Sequence, residues 1–267
     1  MPKYRRRATQ ESSAVKMDPM HQFAVEPLSA HPLLQIAGHP IYFTNQALWM
    51  FIVVGAISLF MVMATSRRSL VPGRMQSMAE ISYEFVANMI GTASGEDGLR
   101  FFPFVFTIFM FVLFSNFLGL LPGSFTVTSQ IAVTFGLAAF IILLVIVTGF
   151  IHHGIGFLRL FVPKAPFILL LLLVPIEIIS FMTRPISLSV RLFANMLAGH
   201  TMLKVFASFV IMLGGAGGVL SLLSVAPFAL IVAITALELL VAFLQAYVFA
   251  ILTCIYLGEA LHLHDHH

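Results

Sequence analysis

The sequence predicts an all-α integral membrane protein: five transmembrane helices plus one amphipathic surface helix, with the last two crossings forming a long, strongly tilted hairpin. Three observations carry that expectation. Hydrophobic residues make up 60% of the 267 positions and charged ones 9%, with a mean hydropathy of +1.01; a soluble domain is about 25% charged. Apolar runs of about 20 residues, the length that spans hydrocarbon, recur along the chain. The last two runs are far longer than an upright crossing needs.

The same composition narrows the function classes. The formal charge of +3 is modest and no basic stripe with interleaved aromatics is present, so nucleic acid is not an expected partner. The single cysteine, Cys254, excludes an intramolecular disulfide and a cysteine metal cluster; in its apolar run it reads as a small buried hydrophobe. No internal repeat recurs at a fixed period, which weighs against inverted-repeat transporters.

Residues 1–40 form a polar N-terminal segment with the basic cluster Lys3, Arg5, Arg6 and Arg7, and residues 41–267 a single helical membrane domain. No apolar signal core precedes the first crossing, so a cleaved secretory peptide is not expected. His21, His31 and His39 lie among prolines at irregular spacing and read as surface residues. The first crossing runs from Ala47 to Thr65 and ends at Arg67, Arg68 and Arg74, which assign that end to the cytoplasm or its equivalent. From Met75 to Ile90 the pattern changes: Gln76, Glu80, Glu84 and Asn88 recur every four residues, with Met78, Ile81, Phe85 and Met89 on another face. That is the amphipathic surface helix. Gly95 to Gly98 should then be a solvated turn.

Phe101 to Leu121 is the second crossing; its Asn116 reads as a helix–helix hydrogen bond ahead of a pathway ligand. Ile131 to Ile151 is the third. The uncharged loop between these two, and the loop after them bearing Arg159 and Lys164, agree with the first assignment of sides. From Pro166 to Met212 no solvated break occurs, only Pro175, Pro185 and Gly199. A helix of that span is roughly 70 Å long against roughly 30 Å of hydrocarbon. It must tilt steeply, kink at the prolines, or pass partly along the membrane. The glycines from Gly214 to Gly218 reverse the chain into a second long arm, so residues 166–257 form the hairpin.

The first arm carries an unusual set of polar residues. Glu177, Arg184 and Arg191 are spaced by seven and Asn195 follows by four, which places them near one helical stripe. A polar stripe on a membrane helix faces protein or water. Glu177 and Arg184 could simply neutralise each other, and Lys204 could snorkel to an interface. Arg191 has no carboxylate within a turn or two, which points to an anion supplied by a partner. The second arm carries Glu238 and Gln245, again seven apart, with Glu259 fourteen further on. The reversal puts His200 and Glu238 at comparable depth, and an intramembrane acid and base suit a proton relay. The C-terminal HLHDHH is a short tail with no specific role expected.

PISLSVRLFANMLAGH, LVPIEIIS, FSNFLGLLP and ELLVAFLQAYVFAIL closely resemble subunit a of the F-type ATP synthase, in its mitochondrial and alphaproteobacterial variant. The resemblance covers most of the chain from the first crossing onward. It implies a non-catalytic, proton-translocating stator subunit that holds two offset half-channels against a ring of c subunits. Its partners would be that c-subunit ring, b-type peripheral stalk subunits, other ATP synthase subunits and the lipid bilayer, with no cofactor and no metal. Arg191 matches the family's essential arginine, whose guanidinium stays protonated and so cannot relay the proton itself. Asn195 matches a polar residue on the same face, and Gln245 the glutamine on the facing arm. His200 and Glu238 match an acid–base pair that common bacterial members carry exchanged, and would line the outer half-channel. Glu177 and Asn116 match further polar positions. An energy-transducing inner membrane follows, bacterial in preference to mitochondrial.

Two other classes fit parts of the pattern. A self-contained proton-coupled transporter could use the same Arg, His and Glu. An intramembrane metal hydrolase would want a clustered motif such as HExxH, and the chain has none.

Overall fold

The computed structural model describes residues 23–28, 34–36, 39–66, 69, 71–121, 123–161, 166–215 and 217–261. Readings on residues 1–22, His31, Arg67, Arg68, Lys164 and the C-terminal 262–267 lie outside them. The architecture is helical, with one small exception near the start. Strands β1 (Leu34–Ile36) and β2 (His39–Ile41) pair antiparallel, Leu34 opposite Ile41 and Ile36 opposite His39. This ribbon falls in the stretch read as a polar N-terminal segment.

Helix α1 (Asn45–Thr65) begins where Thr44 accepts a hydrogen bond from the Ala47 amide, satisfying one of the free donors of the first turn. Helix α2 (Arg74–Gly98) is the amphipathic element. It continues through the expected turn as a kink at Gly95, whose φ of 68° suits glycine. Its buried stripe is Val86, Met89, Ile90 and Ser94, while Met78 and Ile81, placed by spacing on the apolar face, stay exposed. Helix α3 (Phe102–Gly119) is the second crossing and α4 (Ile131–His153) the third.

Helix α5 (Phe167–Gly215) runs unbroken for 49 residues through Pro175 and Pro185. Gly217 and Gly218, both at positive φ, turn the chain into the short α6 (Val219–Leu223) and then α7 (Val225–Leu261). Five stretches are long and apolar enough to cross a membrane: 45–65, 74–119, 131–158, 169–215 and 221–261.

The C-terminal half of α7 is the axis of the packing, touched by α2, α3, α4 and α5. The sequence explains why. Ala242, Ala246, Ala250, Cys254 and Gly258 recur every four residues and are all buried, a row of small side chains that lets other helices approach closely. Gly258 is a close contact: a Cβ there would come within 2.9 Å of the Ala93 carbonyl on α2. Cys254 is one of these small positions and is free. The rest of the hairpin is packed much less, and the outward faces of α5 and of the N-terminal half of α7 stay open.

Candidate functional site

Helix α5 distributes its polar residues to different surroundings. Leu188, Ser189, Leu192 and Met196 turn inward and are buried, which leaves Arg191 and Asn195 on the exposed side of the helix. Arg191 makes no hydrogen bond or ion pair among the described residues. An always-protonated guanidinium stands on the open face of an apolar helix.

Arg184, one seven-residue step earlier, behaves differently. It pairs with Glu259 of α7 and its guanidinium also lies 5.0 Å from the Tyr256 ring and 5.7 Å from the Phe181 ring. The alternative in which Glu177 neutralises Arg184 is therefore overturned. The two share a helix face, but α7 brings a better acceptor from 75 residues away, together with two aromatic faces that favour the cation. Glu177 is half-buried and makes no hydrogen bond among the described residues. Exchanging the charges tests the pair: Arg184→Glu/Glu259→Arg should recover the thermal stability of the chain in membranes that either single reversal loses. Two losses with no recovery would show that the groups do not act together.

On α7, Glu238 and Gln245 are buried, each 8% exposed. The structure brings Glu238 to the residue beside His200. A Cβ at Gly199 would fall onto the Glu238 carboxyl, with Cδ at 2.8 Å, so the bare backbone of Gly199 is a notch that the acid fills. Neither carboxyl oxygen of Glu238 has a hydrogen-bond partner among the described residues. Burying a polar group without a hydrogen-bond partner is costly, which sets this carboxyl apart from the satisfied polar groups around it.

His200 is half-buried between two segments. Its Nε2 is 3.2 Å from the Thr126 hydroxyl in the loop between α3 and α4. The Phe23 ring meets it edge-on, centroids 6.5 Å apart at 71°. The segment bearing Phe23 is pinned: its carbonyl accepts from Gln130 Nε2 at 2.7 Å, and the Ala24 carbonyl accepts from Asn45 Nδ2 at 3.0 Å. Lys204 is exposed one turn along α5.

Asn116 is wholly buried and spends both ends of its amide. Its Nδ2 donates to the Ala242 carbonyl at 3.2 Å, and its Oδ1 accepts from Thr128 at 2.8 Å. It thus ties α3, the following loop and α7 together, just upstream of Gln245.

Sequence reasoning did not single out Thr126, Gly199 as a notch, or Tyr256. Tyr256 had a signal, since it lies eleven residues, about three turns, beyond Gln245 and so near the same helix face. Thr126 had none: a threonine in an uncharged loop carries no mark of its own.

The family described as ATP synthase A chain matches residues 47–258. A protein of Mesorhizobium japonicum named ATP synthase subunit a is 59% identical over 251 residues, covering 94% of this chain and 98% of the relative. One of the same name from Chelativorans is 58% identical over 246 residues, covering 92% and 98%, and one from Nitrobacter winogradskyi is 57% identical over 247, covering 92% and 98%. With the match running from the first crossing to the end of the hairpin, the chain belongs to the ATP synthase A chain family.

Proposed function

We propose that this chain is the proton-translocating stator subunit of a rotary F-type ATP synthase. It works beside a ring of c subunits and b-type stalk subunits in an energy-transducing inner membrane. It carries out no chemistry on ATP and needs no cofactor. Residues 41–267 act as one membrane unit, with 166–257 as the conducting hairpin. The observation that carries this reading is Arg191, exposed among apolar neighbours with no ion pair among the described residues. A cation placed so needs an anion from outside the chain, and a carboxylate that passes on a rotor subunit would supply one.

In this reading each proton enters from the outer side past His200 and Glu238, a reading supported by the Glu238 carboxyl lying against Gly199, the residue next to His200 in sequence. It neutralises a rotor carboxylate, which then turns into lipid. The next carboxylate to arrive ionises opposite Arg191 and releases its proton to the other half-channel. Arg191 favours the charged rotor carboxylate and, holding its own proton, blocks a direct path between the half-channels. Asn195 shares the exposed face, and Gln245 lies buried on α7, the other arm. Glu177 is a polar station toward the cytoplasmic end, and Asn116 braces the helices around the outer path. The membrane potential drives the cycle with about 2.3 kcal/mol per charge per 100 mV.

Crosslinking tests the placement. Ala198, seven residues after Arg191 and exposed, is replaced by cysteine in the assembled complex, with a second cysteine on the carboxylate-bearing ring helix. A disulfide between the two subunits is expected from Ala198→Cys and not from Phe140→Cys, which is exposed on α4. Crosslinks from Phe140→Cys alone would put the ring on the wrong face. Proton transport by the purified chain alone in liposomes would support a self-contained transporter instead.

A further inference from the structure

The loop after α3 turns inward, and Phe125 to Ser129 are all buried. Its hydroxyls therefore need partners within the protein. Thr128 donates to Asn116, and Ser129 donates to the Thr126 carbonyl at 2.6 Å. Thr126 is placed between two groups: its hydroxyl oxygen is 3.3 Å from the Gly119 carbonyl oxygen and 3.2 Å from His200 Nε2. A threonine hydroxyl has one proton to donate and lone pairs to accept with. It can donate to Gly119 while accepting from a protonated Nε2, or donate to a bare Nε2. Gly119 makes the closeness possible, since a Cβ there would come within 2.8 Å of Thr126 Cγ2. Phe23 closes the other side of the imidazole with an apolar edge.

We propose that Thr126 is a positioning residue for His200, holding Nε2 in both protonation states by turning its hydroxyl between the imidazole and the Gly119 carbonyl. The proposal rests on the reading of His200 as part of the outer half-channel. When Nε2 takes a proton, the new N–H donates to Thr126 Oγ1 and the hydroxyl proton turns to the Gly119 oxygen. When that proton leaves, the hydroxyl donates to Nε2 again. Thr126 keeps its own proton throughout, so His200 changes charge without losing its orientation. The charged groups around it are Lys204 on α5 and Glu238 from α7, with Glu26 on the segment bearing Phe23; α3, the loop and the adjoining end of α4 carry none.

The test uses the whole complex in inverted vesicles, with ATP-driven proton pumping measured over roughly pH 5 to 8, where histidine titrates. Thr126→Val keeps the shape and removes the hydroxyl; Thr126→Ser keeps the hydroxyl and removes a methyl. The valine variant should pump about fivefold more slowly, near the value of one net hydrogen bond, with a displaced pH profile. The serine variant should keep the original rate and profile. Should the valine variant not accumulate in membranes, Thr126→Ala against Thr126→Ser gives the same comparison without the second branch. A normal valine variant with an impaired serine variant would overturn the proposal, because the site would then need volume and not a hydroxyl. Normal pumping by both, with pumping lost in His200→Ala, would overturn Thr126's role alone. Normal pumping by His200→Ala as well would remove the half-channel reading beneath it.

Discussion

Arg191→Ala should abolish ATP-driven proton pumping, a loss of at least about a hundredfold, the scale on which single electrostatic groups at a reacting centre act. The complex should still assemble. Arg191 is exposed and makes no ion pair among the described residues, whereas α5 is anchored by buried Leu188, Leu192 and Met196. Its truncation leaves no cavity and strands no hydrogen-bond or ion-pair partner among the described residues. Function and stability are thus separable at this residue, which is uncommon for a charge at membrane depth. Arg191→Lys should fail nearly as badly, because a desolvated ammonium gives up its proton more readily than a guanidinium and lacks its planar fork. The measurement is pumping and passive proton leak in vesicles of matched subunit content. Pumping close to normal in Arg191→Ala would sink the proposed function, and the exposed face of α5 would then have to be read as packing.

Gly199→Ala should lower pumping at least about tenfold, although it adds one methyl group. That methyl would occupy the space of the Glu238 carboxyl, and overpacking of this kind costs about 1–3 kcal/mol. Either Glu238 swings out of its notch, changing its distance to His200, or α5 and α7 separate. Gly136→Ala on α4 is the control, because a Cβ there meets nothing within 4 Å. Both substitutions raise helix propensity equally, by about 1 kcal/mol, so a difference between them isolates the notch. Equal behaviour of the two variants would show that Glu238 is free to relocate. Gly199→Ala combined with Glu238→Asp, a carboxylate one methylene shorter, should recover part of the loss.

The crossings were legible because hydrocarbon imposes a length and an absence of charge that few other settings require. Asn45–Thr65, Phe102–Gly119 and Ile131–His153 lie within a few residues of the runs read from hydropathy. The surroundings of the polar residues were less legible, because periodicity reports which residues share a face and not what that face meets. Glu177 and Arg184 share a stripe, yet Arg184 is taken by Glu259 from the other arm. Gly95 to Gly98 look like a turn by composition, with two glycines and two acids, but the helix resumes past Gly95 because Ser94 and Gly98 are buried in the helix packing. That Glu238 sits at the level of Gly199, next to His200 in sequence, was within reach, since counting residues from the reversal sets their depths. Thr126 was not, because its role comes from a loop that turns inward, and hydropathy treats a short uncharged loop as one more connection.

The close packing of α2 on α7 has a mechanical consequence. Ser94 donates to the Cys254 carbonyl at 2.5 Å, Gly258 lets the Ala93 backbone sit against α7, and Asn116 holds the Ala242 carbonyl from α3. These ties grip one helix at both ends of its C-terminal half, and none of them involves the exposed face. Under the proposed function, a part that stays still while a neighbour turns has to pass the recoil elsewhere. Here the load on the second arm would run through backbone carbonyls into the earlier helices, and the outward faces of the hairpin would be left free to slide.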